Sequence, residues 1–193
     1  MTPREILRMV LVLMIVTGTW GGLLSLVKMA TEDQIQYQRI KNIKAPALKK
    51  ALTVEYDNDP IKERKTIVIG TDKKGKPIER PIFPAKQNGK IVAVGLEAYG
   101  VGYDGDVGVM LTIVVEEDKL GGIAVTTHTE TPGVGTVVFD DEEFMNQFAN
   151  SPLSRNFSGN VDTVTGATYT ANGVIRAVQN GVEIYKKHKS EIL

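Results

Sequence analysis

Residues Met9 to Val27 read MVLVLMIVTGTWGGLLSLV, a run of 19 residues without a charge. At about 1.5 Å of rise per residue, a helix over this run spans about 28 Å, close to the hydrocarbon thickness of a bilayer. Charges flank it: Arg4, Glu5 and Arg8 before, Lys28, Glu32 and Asp33 after. A cleaved signal peptide fits poorly, because Ala30 at −1 would place Lys28 at −3, where a small residue is needed. A buried core helix of this length is also unusual. The run is therefore expected to be a retained anchor over residues 1–30. The juxtamembrane arginines favour an amino terminus on the inside, which would put the rest of the chain on the extracytoplasmic face. Gly18 and Gly22 make a G-x-x-x-G step, and Thr17, Gly21 and Ser25 a second stripe of small residues. Such stripes let helix backbones approach closely in lipid, so a membrane partner is expected.

Composition closes off several kinds of chemistry. The chain has no Cys, which rules out disulfides, Cys-ligated iron–sulfur clusters, thiol catalysis and an acylated lipobox. Its two histidines, His128 and His188, are too few for a His-rich metal or haem site. With 23 basic and 23 acidic residues, it lacks the basic excess that nucleic-acid binding requires. No catalytic residues and no metal ligands are assigned.

After the anchor, Thr31-Glu32-Asp33-Gln34 reads as a capping box opening a loosely amphipathic helix (Ile35, Ile40, Ile43) that Pro46 interrupts, followed by a short helical piece over Ala47 to Leu52. Lys65 to Gly70 reads as a strand, Asp72 to Lys76 as a turn, and the Pro-rich chain to Pro84 as extended. Strands are expected over Lys90 to Ala98, Val107 to Glu116 and Ile123 to Thr129, with Gly/Asp turns at Gly100–Asp106 and Asp118–Gly122. These short links favour antiparallel pairing. Phe139 to Ala149 reads as a helix starting at Asp140 or Asp141. Ser151 to Gly159 reads as a loop, Val161 to Val164 as a short extended piece and Tyr169 to Lys189 as a closing helix, with His188 at its solvated end. The expected fold is α+β: one transmembrane helix, then a single domain of antiparallel sheet with packed helices. Its expected parts are the anchor (1–30), a linker helix with the first part of the soluble domain (31–90), and a ligand-binding domain (91–193).

The chemistry lies in Asp162-Thr163-Val164-Thr165-Gly166-Ala167-Thr168, just before the last helix. A hydroxyl–Gly–small–hydroxyl run at a helix N-terminus offers backbone N–H groups and the positive end of the helix dipole to an anion. The G-x-x-x-x-G-K-[ST] loop of nucleoside triphosphatases is absent. An ordinary helix cap by Thr168 or Thr170 is the competing explanation.

The same run resembles the D-x-x-[ST]-G-A-[ST] flavinylation motif of the membrane-anchored FMN-binding domain family. The resemblance implies that Thr168 carries FMN through a phosphoester, with Thr165, Gly166, Ala167 and Asp162 around the attachment point. It implies for Asp162 either recognition by the modifying enzyme or a turn role. His128-Thr129-Glu130-Thr131-Pro132-Gly133-Val134-Gly135 resembles the family's H-x-E-T-P-G-[LV]-G loop, which implies that Glu130 and Thr131 contact the flavin ring and that His128 lies by the ring or simply ends a strand. Tyr99 to Asp106 resembles its Gly-rich turn. The resemblance covers Gly95 to Lys187.

Within this family, the single anchor and the chain length look most like the G-type subunits of Rnf complexes, which couple electron flow between ferredoxin and NAD to Na⁺ or H⁺ movement. This implies partner subunits in the membrane and at its surface, and a separate flavin transferase that uses FAD and Mg²⁺. The C-type subunit of a Na⁺-translocating NADH:quinone oxidoreductase is the alternative, as is an anchored assembly module of the same fold without flavin. Covalent attachment also fits the residues themselves. No Lys or Arg lies between Asn156 and Ile175, and a helix end contributes only about 0.3–1 kcal/mol to an exposed anion, up to about 2 when partly buried. A covalent tether replaces that weak grip with an effective concentration on the order of millimolar.

Overall fold

The computed structural model describes residues 2–72 and 75–193. It divides into two units, residues 1–41 and 42–193. In the first, α1 runs from Pro3 to Arg39. Pro3 sits in its first turn, and the Thr2 N–H donates to the Glu5 carboxylate at 2.8 Å, which starts the helix. Its apolar side chains from Ile6 to Val27 are exposed, and α1 is long and apolar enough to cross a membrane. Thr17 and Thr19 donate their hydroxyls to the carbonyls of Leu13 and Ile15 at 2.8 and 2.7 Å, so these polar groups are satisfied inside the helix. The helix start expected at Thr31 is corrected. Thr31 lies within α1 and donates back to Val27 O at 2.8 Å, and no Gly or Pro between Thr31 and Ala45 stops the helix.

The second unit is a five-stranded antiparallel meander in the order β1 to β5. Its strands are β1 (Lys65–Thr71), β2 (Pro77–Gln87), β3 (Lys90–Val101), β4 (Asp106–Val114) and β5 (Lys119–Thr127). In register, Ala98 faces Val109 and Gly100 faces Val107 across β3 and β4. Of the expected turn at 72–76, Lys73 and Lys74 lie outside the described residues. The turn expected at Asp118–Gly122 sits earlier, and Lys119 to Gly122 are already strand. The reason is packing. Thr112 donates its hydroxyl to Ala51 O at 2.6 Å, and a Cβ on Gly122 would stand 2.8 Å from that same oxygen. These glycines therefore serve close approach, not a turn.

Each face of the sheet is covered by a helix. α2 (Ala45–Ala51) follows a π-helical turn at Ile40–Lys44 and buries Ala47, Leu48 and Ala51 against Phe83, Met110 and Ala124. α5 (Thr168–Ile192) covers the opposite face with Val174, Ile175, Val178, Val182 and Tyr185, spaced three to four residues apart, packed on Leu96, Ala98, Val109 and Leu111. β3 and α5 meet almost backbone to backbone: a Cβ on Gly100 would come 2.1 Å from Gly173 O. Between β5 and α5 the single helix expected over 139–149 is two short ones, α3 (Val137–Asp140) and α4 (Glu142–Asn146). Asp141 breaks them by leaving the helical region and capping α4, accepting from Phe144 N at 2.9 Å. Residues 161–164, expected as a short extended piece, belong to no helix or strand. His188 lies at a kink in α5, with its Nε2 buried, not in solvent.

Among the charged groups, Glu97 is nearly fully buried beneath the α2 side of the sheet. It pairs with Lys44 Nζ at 2.9 Å and accepts from the hydroxyls of Tyr99 and Thr126. Burial by itself would raise its carboxyl, but the Thr126 hydrogen bond and the Lys44 charge outweigh burial and hold it below the ordinary glutamate range.

Candidate cofactor site

The segment before α5 is pinned so that its hydroxyls face outward. Phe157, Val161 and Ala167 are buried, while Asp162, Thr165, Gly166 and Thr168 are exposed. Gln147 clasps the backbone of Asp162 from both sides: its amide donates to Asp162 O at 3.0 Å and its carbonyl accepts from Asp162 N at 2.8 Å. Arg155 braces the same loop, donating to Gln147 O and Ser151 Oγ at 2.9 Å each and to Asn160 O. Gly166 adopts φ +83°, a conformation that L side chains rarely take, and this turns the chain into the helix.

Thr168 is the first residue of α5 and Ala167 is its N-cap. The cap residue has no side-chain acceptor, so it leaves the first-turn N–H groups to another partner. Neither Thr168 nor Thr170 caps the helix. Thr170 faces inward, and its hydroxyl donates to Glu130 Oε2 at 2.7 Å.

A pocket of about 310 Å³ opens beside Thr168. Its walls come from the β3–β4 turn (Tyr103), the loop after β5 (Glu130, Thr131, Val134, Gly135) and the start of α5 (Gly166 to Thr170). Tyr103 and Tyr169 are about 70% exposed, with ring centroids 6.0 Å apart and tilted by 55°. Val134 adds a third exposed apolar side chain. Two open aromatic rings beside a strand-end loop form a surface that a flat apolar ligand would cover.

Five of the eight residues singled out in the sequence thus gather here: Gly166, Ala167, Thr168, Glu130 and Thr131 line the pocket, and Thr165 is exposed in the turn that precedes them. Asp162 is exposed on the loop leading in. His128 lies elsewhere. Its ring rests on Phe139 at 4.6 Å and lines a different hollow, with Pro46 and Lys50 of α2. Glu130 reaches the pocket from beneath, with its carboxylate engaged by protein donors at Tyr103, Asp104 and Thr170. Sequence reasoning missed Tyr103, Tyr169, Val134 and Gly135. The available signal was their position, inside or directly beside the three motifs.

The FMN-binding domain family matches residues 102–183, the stretch that supplies every wall of this pocket. The G-type subunit of the ion-translocating oxidoreductase complex of Vibrio parahaemolyticus is 30% identical over 183 residues, covering 89% of this chain and 85% of that protein. The chain belongs to the family of G-type subunits of ion-translocating oxidoreductase complexes. The Aliivibrio fischeri member is 28% identical over 197 residues, 96% of this chain and 91% of its own length, so the similarity includes α1 as well as the sheet domain of this family member. The C-type subunit of the Na⁺-translocating NADH-quinone reductase from Parabacteroides distasonis shares the fold, with a TM-score of 0.54 at 17% identity over 79% of this chain and 94% of that one.

Proposed function

We propose that this chain is the electron-transfer subunit that carries FMN, bound covalently through Thr168, in a membrane complex coupling ferredoxin/NAD redox chemistry to Na⁺ or H⁺ translocation. The observation that carries the reading is the placement of Thr168. Its exposed hydroxyl stands at the first position of α5, on a helix end whose cap residue offers no acceptor, at the lip of a pocket walled by two open tyrosines. These residues fit the cofactor. The first-turn N–H groups and the α5 dipole suit a phosphoester anion. Gly166 and Ala167 keep side-chain bulk away from it. Tyr103, Tyr169 and Val134 present apolar surface to a flat ring and exclude water from it.

FMN, when attached, supplies reversible acceptance and release of electrons. The protein's work is to hold the ring, keep it dry and set the charge around it. The exposed hydroxyl and the exposed Asp162 suit modification by a separate flavin transferase that reads the loop. α1 spans the membrane once, with the amino terminus inside and the sheet domain on the extracytoplasmic side. Coexpression with a flavin transferase tests the reading: the denatured, electrophoretically separated protein is expected to fluoresce as flavin and the Thr168→Ala variant to be dark. A dark wild-type band would overturn it.

A further inference from the structure

Glu130 is a buried carboxylate, 4% exposed, in the lining of the pocket. Both oxygens accept. Oε1 takes the backbone N–H groups of Tyr103 at 2.8 Å and Asp104 at 3.3 Å, and Oε2 takes the Thr170 hydroxyl at 2.7 Å. Three segments far apart in sequence are thereby tied together: the loop after β5, the β3–β4 turn and the first turn of α5. The surroundings are built around this side chain. A Cβ on Gly102 would stand 2.3 Å from Oε1, and one on Gly135 would stand 2.5 Å from Oε2. Among the described residues no cationic side chain pairs with Glu130 within 4 Å. Its charge is met by N–H and O–H donors and by the positive end of α5.

We propose that Glu130 is a positioning residue that sets both the shape and the charge of the flavin site. It clips Tyr103 and Thr170 in place, and its negative charge, met by no cation, lowers the reduction potential of the cofactor. This rests on the FMN reading above. The physical reason is that adding an electron beside a buried anion is disfavoured in a low-dielectric setting.

Two substitutions separate clip from charge. In Glu130→Gln the amide oxygen can still accept from Tyr103 and Asp104, and the amide nitrogen can donate to Thr170 Oγ1; the clip is kept and the charge lost. In Thr170→Val the charge is kept and one strand of the clip is cut. Full-length proteins, flavinylated by coexpression with transferase, are compared by redox titration of the flavin absorbance and by thermal unfolding. Glu130→Gln is expected to unfold near the wild-type temperature and to shift the one-electron equilibrium toward the reduced flavin by roughly threefold or more, a midpoint about 28 mV higher at 59 mV per tenfold. Thr170→Val is expected to unfold earlier with a potential unchanged or lowered. A flavinylated Glu130→Gln with wild-type potential overturns the proposal, as does an equal rise in both variants. If Glu130→Gln fails to fold, a raised potential in Thr170→Val still overturns it, and a lowered or unchanged one supports it. A wild-type chain that carries no flavin overturns this proposal and the FMN reading together, whereas an unchanged potential on flavinylated protein overturns this proposal alone.

Discussion

Replacing Lys44 by Met removes the cation facing a carboxylate that is 1% exposed, while Lys44 itself is 15% exposed. Truncating one partner of a buried pair costs about 3–5 kcal/mol, against about 0.2–1 for an exposed pair. Glu97 would keep the hydroxyls of Tyr99 and Thr126, so the lower end, about 3 kcal/mol at pH 7.5, is expected. The pH dependence follows from the sign of the shift. In the wild type the folded Glu97 carboxyl lies below its ordinary value of 4.5, so its contribution is complete above that value and fades as pH falls below it. In Lys44→Met, burial, the largest influence on Glu97 and one that raises it, is no longer opposed by the lysine charge. The folded carboxyl then moves up from its wild-type position, opposed only by the Thr126 and Tyr99 hydrogen bonds, and the variant gains stability relative to wild type on acidification toward pH 5. Urea unfolding of the detergent-solubilised full-length protein, followed by near-ultraviolet circular dichroism, measures the gap at pH 7.5 and pH 5. A gap under about 1 kcal/mol at pH 7.5, the value of an exposed pair, or one that does not shrink at pH 5, would mean that Lys44 does not neutralise a buried Glu97 charge.

Two further outcomes are expected. Replacing Tyr103 and Tyr169 together by Leu removes two aromatic contacts worth about 0.5–1.5 kcal/mol each beyond their area; the attached flavin should become more mobile, with lower fluorescence anisotropy and brighter emission, while Thr168 stays modified. Replacing Gly18 and Gly22 together by Leu should leave membrane insertion and flavinylation intact but reduce recovery with partner subunits, since close backbone approach is lost; recovery at wild-type levels would make α1 a tether only.

The strands rich in Val, Ile and Thr were legible because their composition and Gly/Asp punctuation are local signals. β2 shows in the sequence only as extended chain, since Pro81 and Pro84 mask a strand that pairs with β1 and β3. The start of β5 is hidden in the sequence because Gly121 and Gly122 resemble a turn, and what they make room for, Thr112 and the end of α2, lies up to 71 positions back in the chain. In the site, Thr168 and its turn were visible as a contiguous motif. The Glu130 clip was not: its partners at Tyr103 and Thr170 are 27 and 40 positions away, and only the folded sheet brings them to one carboxylate. A motif reports which residues act together, not whether a side chain faces the ligand or the wall behind it.

Peptide mapping by mass spectrometry, on full-length protein coexpressed with a flavin transferase, locates the flavin. One FMN in phosphoester linkage is expected on the peptide spanning Gly166 to Thr170, with fragmentation assigning it to Thr168. FMN on Thr165, Thr170 or any residue outside this turn, or a fully loaded protein whose flavin is released on denaturation, would contradict this assignment.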